Sequence, residues 1–232
     1  MTIFYKKEVN IGSNMLNEEE STHCFQVLRH QQGDNIMVFD GKGTSYSSVL
    51  TQVSKKTCLF EVIETKHHQK KSFSIHLVIS PTKKMDRMEW MIEKLCEIGV
   101  DEVTFIQTEH SEGRKQRMDR LKKKTISAMK QSGNPWMLKL NELVELKKLM
   151  PMLHSEEKYI AHVHSNGSHL SEISHAGKSV VLLIGPEGDF SEREIQEAIN
   201  EGFAPVSLGQ HTLRTETAGL IACGIINAIN RF

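Results

Sequence analysis

The chain has 232 residues, of which 38% are hydrophobic and 25% charged, an ordinary composition for a globular protein of one or two domains. This composition excludes intrinsic disorder, collagen-like repeats and coiled coils. No stretch approaches the roughly 20 apolar residues of a membrane helix, and the first residues lack the apolar region of a secretory signal, so we expect a cytoplasmic protein without membrane contact. The four cysteines form no C-x-x-C pair, which predicts reduced core thiols and no metal site.

The formal net charge is zero, but the charges are unevenly distributed along the chain. Residues 72–148 hold 15 Lys and Arg against 11 Asp and Glu, whereas residues 149–232 hold 5 against 10. Most of the basic excess lies between Arg114 and Lys130. Such a run is typical of a phosphate-binding face or, more commonly, of a solvated helix surface, and charge alone leaves both interpretations open.

The first 71 residues are predicted to form a small β-barrel domain. Short runs rich in β-branched and aromatic residues, at 35–40, 44–50 and 57–65, are separated by turn signals. A helix is expected from Glu18 to Arg29, with Cys24, Phe25 and Leu28 facing inward. The polar segment 67–72 is the candidate linker, which gives domains at 1–71 and 72–232.

The second domain is predicted to be α/β with a mainly parallel sheet. Five short apolar runs alternate there with helical patterns, which is typical of βα units. One helix is expected over 84–98 with Gly99 as its end, a second after a capping box at Ser191–Glu194, and a third over 215–229.

Two segments run from the end of a predicted strand into a predicted helix, where ligands settle in open α/β sheets. The first is Ile184–Phe190, whose glycines would let a ligand reach the backbone, although any short βα turn can contain glycine. Because this loop is neither G-x-G-x-x-G nor a Walker loop, a dinucleotide or triphosphate is unsupported. The second is Leu208–Ala218, where Arg214 and Glu216 either bind something or belong to an ordinary helix start with Thr215 as N-cap.

These segments, taken in order and spacing, resemble those of a known family. The chain resembles the bacterial 16S ribosomal RNA (uracil(1498)-N(3))-methyltransferases, which belong to the SPOUT class. The resemblance covers nearly the whole chain and rests on the segments His23–His30, Gly33-Asp34, Phe39–Gly41, Lys84–Glu89, Glu93–Val100, Gln131–Gly133, Ile184–Gly188, Leu208-Gly209 and Leu213–Ala218.

The resemblance implies a PUA-like β-barrel for RNA followed by a SPOUT α/β domain with a trefoil knot, and a homodimer formed through the knotted domain. It implies S-adenosylmethionine as cofactor and methylation of N3 of uracil 1498 in 16S rRNA of the small ribosomal subunit. The implied cofactor-binding residues are Ile184, Gly185, Pro186, Glu187, Gly188, Leu208, Gly209, Leu213, Thr217 and Ala218. The basic residues expected to contact RNA are Arg29, His30, Lys84, Arg87, Arg114, Lys122, Lys123 and Lys124.

The N3–H of uracil is largely protonated at neutral pH, so the reaction needs a proton acceptor or groups that stabilise the uracil anion. The expected catalytic pair is Glu216, which would accept the proton, and Arg214, which would hold charge on the uracil oxygens. Two alternatives stay open: a non-catalytic PUA-like RNA-binding factor, and a SPOUT methyltransferase that acts on another RNA. The chain departs from the family pattern at Asp189, His211, Lys130 and Asn134.

Overall fold

The computed structural model describes residues 1–111, 116–163 and 167–231. They form two compact units, the first made of Met1–Lys70 with Ile126–Met137 and the second of Lys71–Thr125 with Leu138–Phe232. The single boundary expected after residue 71 therefore does not describe the whole division. Residues 126–137 belong to the first unit because they pack there: the Gly43 amide donates to the Pro135 carbonyl at 3.0 Å, and the Met137 amide to the Gly41 carbonyl at 3.0 Å.

A five-stranded sheet forms the first unit, in the order β1-β3-β4-β5-β2. All its pairs are antiparallel except β1 with β3. Its inward side chains form a closed apolar core that includes Phe4, Leu16, Ile36 and Phe60. The three strands predicted here are present, and the sequence did not indicate β1 and β2. The strands are β1 (Ile3–Tyr5), β2 (Ser13–Met15), β3 (Asn35–Phe39), β4 (Thr44–Val53) and β5 (Cys58–His67).

The helix expected over residues 18–29 is shorter and less regular than predicted. Helix α1 covers Glu18–Thr22, with Asn17 as its N-cap, and a π-helical turn covers His23–Val27. A π-turn is wider than an α-turn, so the side chains after it leave the face that a 3.6-residue period would give them. The expected inward placement of Phe25 and Leu28 is therefore wrong, because both are exposed and only Cys24 is buried.

Gly43 packs directly against the indole of Trp136. A Cβ at Gly43 would lie 2.1 Å from a ring carbon, and its φ of +92° is in the left-handed region. We expect Gly43→Ala to lower the free energy of unfolding by about 2–4 kcal/mol, because overpacking adds to backbone strain. Gly33→Ala is the matched control, since Gly33 has φ of +91° with nothing within 4 Å, and strain alone costs about 1–2 kcal/mol. Urea denaturation measures both, and equal losses would contradict the packing argument.

Six parallel strands form the sheet of the second unit, in the order β11-β9-β10-β6-β7-β8. Near-continuous apolar runs such as Val180–Ile184 are buried because helices cover both faces. The predicted parallel α/β domain is confirmed. Its strands are β6 (Ile75–Ile79), β7 (Glu102–Gln107), β8 (Lys139–Glu145), β9 (Glu157–Ala161), β10 (Val180–Ile184) and β11 (Ala204–Val206). The trefoil knot implied by the resemblance stays a prediction.

The helices of this unit pack in two layers. Gly219 of α7 lies against Leu77, Ile79 and Met91, which places α2 and α7 on one face of the sheet. On the other face, Ala198 of α6 packs with Val181 and neighbouring residues. The capping box at Ser191 is confirmed. The helices are α2 (Met85–Glu97), α4 (Leu146–Leu149), α5 (Leu170–Ile173), α6 (Glu192–Asn200) and α7 (Thr215–Ile229), and a 3-10 turn covers Met150–Met152. Helix α3 (Met118–Ser132) begins in this unit, and its residues from 126 onward belong to the first unit.

The four cysteines are all buried free thiols. Burial raises the pKa of Cys24 and of Cys96 to about 12, so both thiols stay protonated. Within the described ranges, no helix has the length and apolarity needed to cross a membrane.

Candidate functional site

A cavity of about 560 Å³ opens in the second unit, at the carboxyl ends of β9, β10 and β11. Ligands bind at this edge of a parallel sheet because the loops that leave the strands diverge there. Three segments supply most of the wall: residues 161–163 after β9, the loop after β10, and residues 206–215 after β11. Arg87 of α2 and Ala218 of α7 complete it.

Most of the residues expected at the cofactor meet in this cavity. Gly188 and Thr217 are not part of its wall. A Cβ at Gly188 would instead meet the Cβ of His110 at 3.3 Å, so Gly188 faces the segment after β7. The expected residues that do line the cavity are Ile184, Gly185, Pro186, Glu187, Leu208, Gly209, Leu213 and Ala218.

Glycine is needed in the two main loops for different reasons. At Gly185 a Cβ would come within 3.1 Å of the Phe190 ring, so the loop can close over Phe190 only without a side chain there. At Gly209 the φ of +133° is one that L-residues rarely adopt. The wall mixes polar and apolar residues, and its larger apolar side chains include Ile184, Leu208 and Leu213.

Helix α7 starts at the cavity, with Arg214 as its N-cap residue. The alternative with Thr215 as N-cap is wrong, because Thr215 is already the first helical residue and is buried. Arg214 has extended backbone angles (φ −67°, ψ 152°), makes no capping hydrogen bond, and its exposed side chain lines the cavity. The structure thus leaves this guanidinium available to a ligand.

Glu216 is buried behind the cavity wall and is not one of its lining residues. Its Oε1 lies 3.5 Å from Nε of Arg87, and Nη1 of Arg87 lies 3.5 Å from Oε1 of Glu187. Within the described part of the chain, Glu216 Oε2 has no hydrogen-bond partner. Arg87, expected at RNA phosphates, therefore lies on the cavity wall between two carboxylates.

The two residues of the first unit that were expected to contact RNA, Arg29 and His30, differ in their surroundings. His30 is a structural residue, because Nδ1 lies 2.8 Å from Asp34 Oδ2 and Nε2 lies 3.1 Å from Thr2 Oγ1, with the side chain mostly buried. Its expected role as an RNA contact is not supported by this geometry. Arg29 is exposed and has φ of +55°.

Some of the basic residues between Arg114 and Lys130 form ion pairs with carboxylates of α2. Lys124 Nζ lies 2.9 Å from Glu93 Oε2, and Arg120 pairs with Glu89, so α2 neutralises two of the cations on α3. Lys122 and Lys123 are exposed. Arg114 lies outside the described residues. Lys84 is exposed at the N-cap position of α2.

Sequence reasoning missed part of this cavity, because residues 161–163 at the end of β9 and residues 206–207 at the end of β11 also line it. It also did not show that Asp189 joins two of the walls through hydrogen bonds. Asp189 was noted as a departure from the family pattern, but nothing in the sequence shows which amides its carboxylate accepts.

Comparison with known proteins agrees with this architecture. Residues 69–227 match the family described as RNA methyltransferase domain, and residues 16–63 match the family described as RNA methyltransferase PUA domain. The "Ribosomal RNA small subunit methyltransferase E" of Aquifex aeolicus is 30% identical over 94% of this chain and 95% of its own length.

Solved structures give the same result. A probable rRNA-methyltransferase from Porphyromonas gingivalis has a TM-score of 0.93 and 39% identity, and the match covers 100% of this chain and 99% of that one. A ribosomal RNA small subunit methyltransferase E from Neisseria gonorrhoeae, bound to S-adenosyl methionine, has a TM-score of 0.89 and 29% identity, covering 99% and 98%.

A PUA domain followed by a parallel α/β domain with a cavity at its strand ends defines the class of RNA methyltransferases. Within that class, the chain belongs to the ribosomal RNA small subunit methyltransferase E family.

Proposed function

We propose that this chain uses S-adenosylmethionine to methylate N3 of uracil 1498 in 16S rRNA of the small ribosomal subunit. The observation that carries the proposal is the cavity at the ends of β9, β10 and β11, with an uncommitted arginine at its wall. It is supported by relatives named ribosomal RNA small subunit methyltransferase E, one of them bound to S-adenosyl methionine.

The cavity suits a cationic cofactor that carries no phosphate. The apolar side chains of Ile184, Leu208 and Leu213 can enclose an adenine, while Gly185 and Gly209 leave backbone groups open to it. Glu187 and Asp189 place two carboxylates on the wall, alongside the cations of Arg87 and Arg214. When bound, S-adenosylmethionine supplies an electrophilic methyl group.

The chain's own residues have to position the uracil so that its N3 can act as the nucleophile. Arg214 donates to the uracil oxygens, on which negative charge develops as N3 gives up its proton to a solvent water. Arg87 provides a second cation, and Glu216 acts as a positioning residue that holds Arg87. We do not assign Glu216 the expected role of proton acceptor, because its carboxylate is buried and is not part of the cavity wall. The uracil must be unpaired or flipped out, since N3 lies on its Watson–Crick edge.

RNA contacts outside the cavity are proposed at Arg29, Lys84, Lys122 and Lys123, which are exposed cations. Each phosphate contact releases counterions and steepens the salt dependence of binding.

We expect Lys122→Ala to reduce the slope of log K against log salt by about one, as for one lost phosphate contact. Lys124→Ala is the matched control and should change the slope less, because Glu93 already neutralises that lysine. Filter binding to 16S RNA across a salt series, with cofactor affinity measured alongside, checks both variants. A wild-type slope for Lys122→Ala would mean that this helix face is only solvated.

We also propose that the chain forms a homodimer through α7. Ile221 and Ala228 are exposed on this helix. A Cβ placed at Gly224 would have no atom of the described residues within 4 Å, apart from its own helix backbone and chain neighbours. These positions share one face by helical spacing, so a second backbone could approach closely there.

The proposed function is tested by nucleoside mass spectrometry of 16S RNA from a strain that lacks this gene. We expect 3-methyluridine to be absent and to return when the gene is restored. Return of the nucleoside with the Arg214→Ala gene at wild-type level would contradict the assigned site. Binding of RNA without any methyl transfer by the purified protein would favour the non-catalytic RNA-binding factor.

A further inference from the structure

Asp189 lies in the loop after β10 and has a φ angle of +59°. L-residues rarely adopt this left-handed region, although aspartate does so more often than most. A backbone conformation of this kind persists only where the surrounding contacts hold it. The contacts of Asp189 are therefore informative about its role.

Both carboxylate oxygens of Asp189 accept hydrogen bonds from backbone amides. Oδ1 accepts from the Phe190 amide at 2.8 Å, and Oδ2 accepts from the Val163 amide at 2.8 Å. Val163 follows β9, which is the neighbour of β10 in the sheet. One side chain thus ties together the chain exits of two adjacent strands, and both exits are walls of the cavity.

The backbone around Asp189 is held from a third direction by His110. Its Nδ1 lies 3.1 Å from the carbonyl oxygens of both Gly188 and Asp189. Carbonyl oxygens can only accept, so this Nδ1 carries the hydrogen and donates it. The adjacent Glu109 amide donates to Glu194 Oε1 at 2.9 Å, which fixes the segment after β7 on the start of α6. The loop that carries Asp189 therefore cannot move without breaking these bonds.

We propose that Asp189 is a positioning residue that holds Val163 against the loop after β10 and so keeps the cavity in its binding conformation before any ligand enters. The inference rests on the proposed function and deepens it. Asp189 is itself part of the cavity wall, but both of its carboxylate oxygens already accept protein amides, so we assign its effect on the cofactor to the position of Val163. A ligand that binds only the held conformation has its apparent affinity reduced in proportion to the fraction of protein lost from that conformation.

Two variants of the full chain test this inference. Asp189→Asn has a single carbonyl oxygen and keeps at most one of the two acceptor roles, while still tolerating the left-handed conformation. Asp189→Gly removes both acceptors and also removes the backbone strain, so we expect no loss of thermal stability. Glu192→Gln is the matched control, since it removes an exposed carboxylate three residues away.

Hydrogen exchange of the ligand-free protein should show faster exchange at the Val163 amide in both Asp189 variants. Calorimetry with S-adenosylhomocysteine should show about tenfold weaker binding, as expected when the competent fraction falls to about a tenth. The KM for S-adenosylmethionine should rise by a similar factor with kcat within about twofold, and Glu192→Gln should match the wild type.

Unchanged exchange at Val163, or faster exchange with wild-type affinity for S-adenosylhomocysteine, would overturn the positioning role. A wild-type protein that failed to bind S-adenosylhomocysteine would instead refute the proposed function, and the positioning role with it. The two failures are thus distinguished by the wild-type measurement.

Discussion

Arg214→Ala is expected to lower the single-turnover rate of methyl transfer by about 10²–10³-fold at saturating RNA and cofactor. The side chain lies at the N-cap of α7 with no capping hydrogen bond, and it lines the cavity where the uracil would enter. Without it, the negative charge that develops on the uracil oxygens loses a cation that forms no ion pair with the described residues. Rapid-quench measurement of methyl transfer to 16S RNA in small subunits checks the rate.

Controls separate this effect from lost binding. S-adenosylhomocysteine affinity is measured by calorimetry, because Arg214 could also contact the cofactor. Arg193→Ala removes an exposed arginine of α6 that is not part of the cavity wall, and it should leave the rate unchanged. A normal single-turnover rate in Arg214→Ala would remove this residue from the proposed mechanism.

Glu216→Gln is expected to lower the transfer rate by roughly 30-fold, which corresponds to about 2 kcal/mol. The variant keeps the shape of the buried side chain but removes the negative charge that faces Arg87 Nε at 3.5 Å. Among the described residues, Arg87 then keeps only the exposed Glu187 as an ion-pair partner and loses its fixed position. The rate is measured under the same single-turnover conditions.

The pH profile distinguishes a positioning role from a proton-accepting role. If Glu216 holds Arg87, the profile of Glu216→Gln keeps the wild-type shape at a lower level. In addition, the double variant Arg87→Met/Glu216→Gln should lose little more than Arg87→Met alone, because the two residues act as one unit. A loss that disappears at high pH, where uracil ionises without help, would show instead that Glu216 is the general base.

The parallel sheet and the cavity loops could be predicted from the sequence because their signals are local. Apolar runs such as 180–184, the capping box at Ser191 and the glycines of the loop after β10 each fix a short stretch of backbone. The same reasoning failed at Phe25, where a π-turn changes the period that the pattern assumes. It also placed Arg87 among the RNA contacts, since a single sequence does not show that two distant carboxylates converge on it.

The first unit is discontinuous in sequence, because residues 71–125, which belong to the second unit, separate its two segments, 1–70 and 126–137. This insertion is 55 residues long. A fragment that ends at residue 71 would therefore lack Trp136, which fills the space over Gly43. An exchange of the amino-terminal portion between relatives at a single junction would leave that tryptophan facing a foreign surface. Recombination between relatives would need three crossovers, after residues 70, 125 and 137, to exchange the unit intact, so the PUA portion and this distant segment are expected to change together.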